Sequence, residues 1–323
     1  MSLEVIYVVR HGFRPSWSVD HVTGAYTLHI RSPTGLPTDP ALTSHGVEQA
    51  HELAEHLLSL DPPIDQVYSS PYYRCLQTIS PFVSRRNSRQ NKVLASDHDV
   101  PRSRLSIHVE SGLSEWYGQA HFEHPTSAPW NELNALFADL DADYISSPAP
   151  PRRGESIPQL CKRVASCIET IIAQCDREGK KSVLISTHAA AVVALGRVLT
   201  ARVPDDETLE DFKAFTCGLS KYRRQGVGQD GRLAVGFRGP SRSKLEDPSP
   251  RSSFALSSYW ACEANSDCSF LSGGEERGWR FAGDESFIEV GQESLLPSAL
   301  ESHSNTTVKE GWDGSNGASA SKL

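Results

Sequence analysis

The chain has 323 residues, a formal net charge of −8 and 38% hydrophobic residues, enough for one large domain or two small ones. That charge gives no general attraction to nucleic acid or to an anionic membrane, and no apolar run approaches the roughly 18 residues of a membrane span. The start, Met1-Ser2-Leu3-Glu4, runs into a strand pattern without a signal peptide, and the seven cysteines (75, 161, 167, 175, 217, 262, 268) read as reduced, buried small hydrophobes of an intracellular protein.

Residues 4–9 are apolar and β-branched and predict a buried strand. Residues 13–41 are irregular and rich in Pro, Gly and Ser. Thr43 then predicts a helix N-cap, followed at helical spacing by Val47, Ala50, Leu53, Ala54, Leu57 and Leu58 up to Pro62-Pro63. Residues 66–69 predict a short strand. Ser70 predicts the cap of the next helix, with Pro71 at its first position. Leu105 to Val109 alternates as a strand, and 120–150 is a mixed excursion. Ser156 predicts the cap of a long helix through Leu160, Val164, Cys167, Ile168, Ile171 and Ile172. Val183-Leu184-Ile185 is a further buried strand, ending at His188, and 189–199 is helical. Residues 215–237 predict an antiparallel hairpin, 238–253 a disordered loop, and 254–290 an aromatic-containing stretch that packs back on the domain. The segment 291–323 predicts a flexible polar tail.

Strand and helix alternate through about residue 200. This predicts a three-layer α/β/α sandwich with a mostly parallel central sheet, completed by a small C-terminal β extension, in one domain over 1–290. Arg10-His11 and His188 fall just past strand carboxyl ends, where such sheets bind ligands.

Four segments carry the chemistry. They are Arg10-His11-Gly12, Ser69-Ser70-Pro71-Tyr72-Tyr73-Arg74-Cys75-Leu76-Gln77-Thr78, Gly112-Leu113-Ser114-Glu115-Trp116 and Ile185-Ser186-Thr187-His188-Ala189. In this order and spacing they resemble the histidine phosphatase superfamily, in the branch with phosphoglycerate mutases and small phosphatases. The resemblance implies that His11 is a nucleophile that forms a phosphohistidine. It implies that Arg10 and Arg74 bind phosphate oxygens, as planar guanidinium groups suit, and that Arg14 faces the same pocket. His188, protonated, would bind an equatorial oxygen and stabilise the transition state. Glu115 would protonate the leaving oxygen and then activate water, with burial beside Trp116 and Tyr117 raising its pKa for that task. Glu110 is the nearest rival acid but sits in a strand pattern, and Gly154-Glu155-Ser156 reads as a structural helix start. The remaining histidines, among them His45, His51 and His56, fall on helix surfaces or in loops. No cluster has metal-ligand spacing, and neither a metal nor a cofactor is expected.

Phe13-Arg14-Pro15-Ser16-Trp17 follows Arg-His-Gly where the resembling mutases carry Glu-Ser or similar, which favours a phosphatase over a mutase. A closer resemblance runs through residues 33–46, 70–76, 114–117, 187–190 and 270–281, which are similar to the phosphatase domain of the fungal transcription factor tau (TFIIIC) subunit over roughly residues 4–285. Two readings therefore stand beside the weaker mutase. One is a metal-independent phosphomonoesterase acting on a small-molecule or protein phosphomonoester. The other is an interaction module of that fold with tau-complex subunits as partners; no direct nucleic-acid or membrane partner is expected. Ser321-Lys322-Leu323 matches the peroxisomal import address and makes the import receptor a partner, against a cytoplasmic or nuclear location. Phe13, Trp17, Trp116, Tyr117 and Trp130 either line an aryl subsite or belong to the core.

Overall fold

A computed structural model describes residues 2–94, 104–206, 209–225, 256 and 259–281. The loop 238–253 and the tail 291–323, with Ser321-Lys322-Leu323, lie outside the described residues. In chain order the elements are β1 (Val5–Arg10), β2 (Ser18–Val19), β3 (Tyr26–Thr27), α1 (Ser44–Leu58), β4 (Gln66–Ser69), α2 (Tyr73–Leu94), β5 (Ile107–Val109), α3 (Trp130–Leu136), α4 (Ile157–Glu178), β6 (Ser182–Thr187), α5 (Ala189–Leu199), β7 (Leu219–Arg224) and β8 (Trp260–Asp267).

Six strands form one sheet in the order β5-β4-β6-β1-β7-β8. The first four are parallel, and β7 and β8 extend the sheet antiparallel beyond β1. The two-residue period of a strand sends its side chains to opposite faces. Val5, Tyr7 and Val9 of β1 thus join Leu53 and Leu57 of α1 and Ile79 and Phe82 of α2. Ile6 and Val8 join Leu160, Val164 and Ile168 of α4 and the apolar residues of α5 on the other face. Burial on both faces explains why β1 and β6 read as continuous apolar runs. The predicted three-layer α/β/α arrangement is the observed one. Among the described residues no helix is long and apolar enough to cross a membrane.

Several local predictions hold in detail. Thr43 caps α1 by accepting from the Gly46 N–H. Ser156 and Gln159 form a reciprocal capping box at the start of α4. Two do not hold. The helix predicted from Pro71 begins at Tyr73, and Ser70 does not cap it, because its hydroxyl lies 2.7 Å from His188 Nε2. The cap comes instead from Asp39, whose Oδ2 accepts from the Tyr73 N–H at 2.8 Å. The hairpin predicted within 215–237 is also not local. β7 is flanked by β1 on one edge and by β8 on the other, so its antiparallel partners are more than 30 residues away in sequence. Residues 226–237 lie outside the described residues.

Candidate active site

The carboxyl ends of the four parallel strands meet at one place. Pairing of Arg10 with Thr187 across β1 and β6 brings Arg10-His11 beside His188. The His11 N–H donates to the Thr187 carbonyl at 3.0 Å, and the Ser70 N–H, just past β4, donates to Ser186 at 2.9 Å. The chain leaves β5 through a turn over Ser111–Leu113, capped by the Glu110 side chain, and then presents Glu115. Glu110 also accepts from the Tyr144 hydroxyl and the Ser147 N–H, so this rival acid is spent on holding the turn. Arg163 donates to the Gly112 and Ser114 carbonyls and pairs with Glu155, which confirms the structural reading of 154–156.

His11 is 1% exposed. Its Nδ1 lies 2.9 Å from the Gly12 carbonyl, which can only accept, so Nδ1 carries the proton and Nε2 keeps its lone pair. Burial pushes the imidazole well below its ordinary pKa, and the positive charges of Arg74, Arg10 and Arg14 push it further. His11 is therefore neutral at physiological pH. The turn behind it is tight. The Gly12 N–H donates to Thr78 Oγ1, and a Cβ on Gly46 would lie 2.1 Å from the Phe13 carbonyl oxygen.

His188 sits edge-on to His11, with ring centroids 5.5 Å apart. Its Nδ1 lies 3.1 Å from Glu115 Oε2, and its Nε2 faces the Ser70 hydroxyl. Arg74 Nη2 stands at the same 3.1 Å from Nδ1, so this ring nitrogen lies between the guanidinium and the Glu115 carboxylate. Burial lowers the His188 pKa to about 4, against the pull of Glu115. The protein's own groups thus favour its neutral form. Glu115 departs from the expectation of a raised pKa. Burial alone pushes its carboxyl up, but His188, Arg74 and Arg14 outweigh burial and hold it well below the usual carboxylate range.

The three arginines surround these groups. Both N–H groups of Arg10 Nη1 go to backbone carbonyls, those of Ala214, at 2.7 Å, and Arg277. Arg74 Nη1 donates to the Thr38 carbonyl at 2.8 Å and to Asp39 Oδ1 at 3.1 Å, while Nη2 reaches Glu115 Oε2 at 2.8 Å. Arg14 stands 5.7 Å over the Trp17 ring, and burial together with Arg74 lowers its pKa to about 9. The Nε atoms of Arg14 and Arg74 are buried without a hydrogen-bond partner. Unsatisfied cationic donors of this kind are unfavourable unless an anion completes them.

The ligand atoms of His11, Glu115 and His188 lie within 4.8 Å of one another, a grouping that sequence spacing did not reveal. Three guanidinium groups repel a divalent cation from that position and favour an oxyanion there. A family model described as histidine phosphatase superfamily (branch 1) matches residues 6–233. This chain belongs to that superfamily.

Relatives within the superfamily differ in what they are named for. The transcription factor tau 55 kDa subunit of Saccharomyces cerevisiae is 28% identical over 293 residues, covering 87% of this chain and 59% of that protein. The ecdysteroid-phosphate phosphatase of Drosophila melanogaster is 30% identical over 229 residues, covering 62% of this chain and 27% of that protein. This chain thus spans 59% of the first relative's length and 27% of the second's. The crystal structure of an ecdysone phosphate phosphatase from Bombix mori with tungstate superposes with a TM-score of 0.46 at 19% identity, covering 76% of this chain and 96% of that one.

All six residues singled out from the superfamily motifs, Arg10, His11, Arg14, Arg74, Glu115 and His188, converge on this site. Three others escaped sequence reading. Asp39 and Gln49 hold the site through hydrogen bonds across 34 and 36 residues, and Ser70 was misassigned to a cap. The aromatic residues divide. Trp17 and Tyr117 cluster with Tyr26 and Tyr72 beside His188. Trp116 faces Trp279 and Phe281, Phe13 faces His45, and Trp130 opens α3 at 39% exposure. Two unassigned histidines are not surface groups: His108 and His124 are buried, at 6% and 2% exposure.

Proposed function

We propose that the chain is a metal-independent phosphomonoesterase that works through a phosphohistidine on His11. The observation that carries this is a buried, neutral His11 whose Nδ1 is occupied and which shares a cluster with Glu115 and His188 among three arginines. The Nε2 lone pair attacks phosphorus, the bond from phosphorus to the ester oxygen breaks, and the departing oxygen takes a proton from Glu115. Water then attacks the phosphohistidine, its proton returns to the Glu115 carboxylate, and the P–N bond electrons return to His11. Arg10, Arg14 and Arg74 offset the charge spread over the phosphoryl oxygens, which is the larger part of the task for such a loose transition state.

Glu115 and His188 must both gain protons relative to the state set by the protein alone. A phosphate dianion supplies the negative charge that favours this, raising both pKa values where the chemistry occurs. The aromatic cluster of Trp17, Tyr26, Tyr72 and Tyr117 adjoins His188 through Tyr72, and supports an apolar or flat alcohol as the leaving group.

Hydrolysis of para-nitrophenyl phosphate with and without EDTA, by wild type and His11→Ala, tests the reading. EDTA-resistant turnover that disappears in the variant is the expected result; a folded wild type without turnover would sink it. A second reading, an interaction subunit that keeps the site, is favoured by the similarity to the tau subunit over most of the chain. Stable co-purification with tau subunits by a catalytically silent protein would support it.

A further inference from the structure

The segment Glu276–Phe281 lies 265 residues or more beyond His11 in sequence, yet it grips the loop that carries the nucleophile. The Arg277 carbonyl accepts from Arg10 Nη1. The Arg277 side chain reaches the other end of the same loop, with Nη1 donating to the Arg14 carbonyl at 3.0 Å and Nη2 to Ser16 Oγ at 3.2 Å. Its guanidinium also stands 4.3 Å over the Phe13 ring. One residue thus contacts the loop on both sides of His11.

Its neighbour reinforces the grip. Glu276 Oε2 accepts from His45 Nε2 at 2.6 Å and from Gln49 Nε2 at 2.8 Å. Gln49 in turn accepts the Phe13 N–H through Oε1 at 2.9 Å. The Glu276 carbonyl accepts from the Thr216 N–H. Further along, Trp279 and Phe281 meet the Trp116 ring edgewise, next to Glu115. Arg277 itself has φ +47°, a left-handed conformation that a non-glycine residue holds only where its contacts over-determine it.

We propose that Arg277 is a positioning residue: it holds the Arg10 guanidinium and the Phe13–Arg14 backbone in their phosphate-binding geometry without touching the reacting atoms. The inference rests on the phosphatase reading for its effect on turnover, but its effect on anion binding stands apart from it. The physical reason is the steepness of the geometric requirement. A displacement of about 1 Å in a charged clamp costs on the order of a hundredfold in rate. Arg10 Nη1 donates to two backbone carbonyls, and one of them belongs to Arg277.

The test compares Arg277→Gly, Arg277→Lys and Arg280→Ala with the wild type. Glycine accepts a positive φ, so the carbonyl toward Arg10 can stay while the grip on Arg14 and Ser16 is lost. Lysine keeps one donor for the Arg14 carbonyl. Arg280 belongs to the same segment but pairs with exposed Glu210 at 3.4 Å, and serves as the control. The readouts are the dissociation constant of inorganic phosphate by calorimetry, kcat and KM on para-nitrophenyl phosphate, and the melting temperature. Expected are a roughly tenfold or greater weakening of phosphate binding and fall in kcat/KM for Arg277→Gly. The lysine variant should be intermediate, Arg280→Ala like wild type, and all melting temperatures close. Wild-type phosphate affinity in a folded Arg277→Gly overturns the proposal, as does an equal loss in Arg280→Ala. If the glycine variant unfolds, full phosphate affinity in a folded Arg277→Lys overturns it and weakened affinity supports it. A wild type that binds phosphate without turnover sinks the phosphatase reading alone; one that binds no phosphate sinks both.

Discussion

His188 Nδ1 lies 3.1 Å from Glu115 Oε2, and Arg74 Nη2 donates to the same oxygen at 2.8 Å. The shared acceptor makes Glu115 an ionised group in the protein's own field, although the proposed chemistry needs it as an acid. The conflict resolves only if substrate brings the proton balance with it, so the contribution of Glu115 should depend on how much help the leaving group needs.

Glu115→Gln should therefore cost about 10²–10⁴-fold in kcat/KM on an alkyl phosphate, the usual worth of a general acid. The loss on para-nitrophenyl phosphate should be distinctly smaller, since that leaving group departs as an anion unaided. Steady-state kinetics over a series of leaving groups checks this. An equal loss on good and poor leaving groups would show that Glu115 acts electrostatically and not as a proton donor.

The two histidines should make the fold sensitive to acid. Burial lowers the His188 pKa to about 4 from an ordinary 6.5, and His11 moves in the same direction. Below pH 6.5 the unfolded chain takes up protons that the native site refuses. Stability is then lost progressively as pH falls from 6.5 toward 4 and, for His188, levels off below that. A lowering of this size corresponds to about 3 kcal/mol for His188 at the acid end. Glu115 adds a loss at lower pH, because its depressed pKa contributes stability that disappears as the carboxylate is protonated. Urea unfolding between pH 7 and pH 4 should show this slope in the wild type and a shallower one in His188→Gln. Parallel slopes would mean that His188 is charged in the native protein.

Asp39 should matter chiefly for stability. It pairs with Arg74, both side chains being 0% exposed, and it caps α2 through the Tyr73 N–H. Burial pushes its carboxyl up, and Arg74 with the Tyr73 N–H draws it back. Removing Asp39 leaves Arg74 with Glu115 and the Thr38 carbonyl but takes away a charged hydrogen-bond partner and the acceptor of the Tyr73 N–H, a loss of about 1–3 kcal/mol. Asp39→Ala should lower the unfolding free energy by that amount and weaken phosphate binding through a displaced Arg74. A loss below about 1 kcal/mol by denaturant unfolding would mean that Glu115 and the Thr38 carbonyl suffice to hold Arg74.

The division between what the sequence disclosed and what it hid follows interaction range. β1, α1, α4, β6 and α5 were legible because their signals are local: buried apolar runs, 3.6-residue spacing, and caps at Thr43 and Ser156. The six site residues were legible only through motif resemblance, since nothing near Glu115 in sequence says that it meets His188. Ser70-Pro71 imitates a helix start, but the Asp39 carboxylate from 34 residues upstream captures the Tyr73 N–H and starts α2 later. The pairing of β7 with β8 was hidden for the same reason, as it joins residues more than 30 apart. The rise expected for the Glu115 pKa is reversed because burial is visible in neighbouring aromatic residues, whereas the contact with His188 and the charges of Arg74 and Arg14 come from three other parts of the chain.

Gly46 offers a test of how tightly the nucleophile loop is held from the α1 side. It lies in the first turn of α1, with its N–H on the Thr43 hydroxyl. The Phe13 carbonyl accepts from the Thr43 N–H at 3.0 Å, and that carbonyl is where an added methyl on Gly46 would strike, 2.1 Å away. The obstacle is backbone, so no side-chain rotation relieves it, and either α1 or the Phe13–Arg14 peptide must move. Gly46→Ala should therefore destabilise the fold by roughly 1–3 kcal/mol as an overpacking change, despite the better helix propensity of alanine. Because the displaced peptide follows directly on His11 and Gly12, kcat/KM should fall more than the stability loss alone explains. Gly35→Ala is the comparison: Gly35 has φ +70° and nothing within 4 Å of the added methyl, so it should cost only about 1–2 kcal/mol of local strain and leave kcat/KM unchanged. Denaturant unfolding and steady-state kinetics on the two variants separate the effects. A Gly46→Ala protein with wild-type kcat/KM would show that the loop tolerates displacement from this side and that its geometry is set by its other contacts.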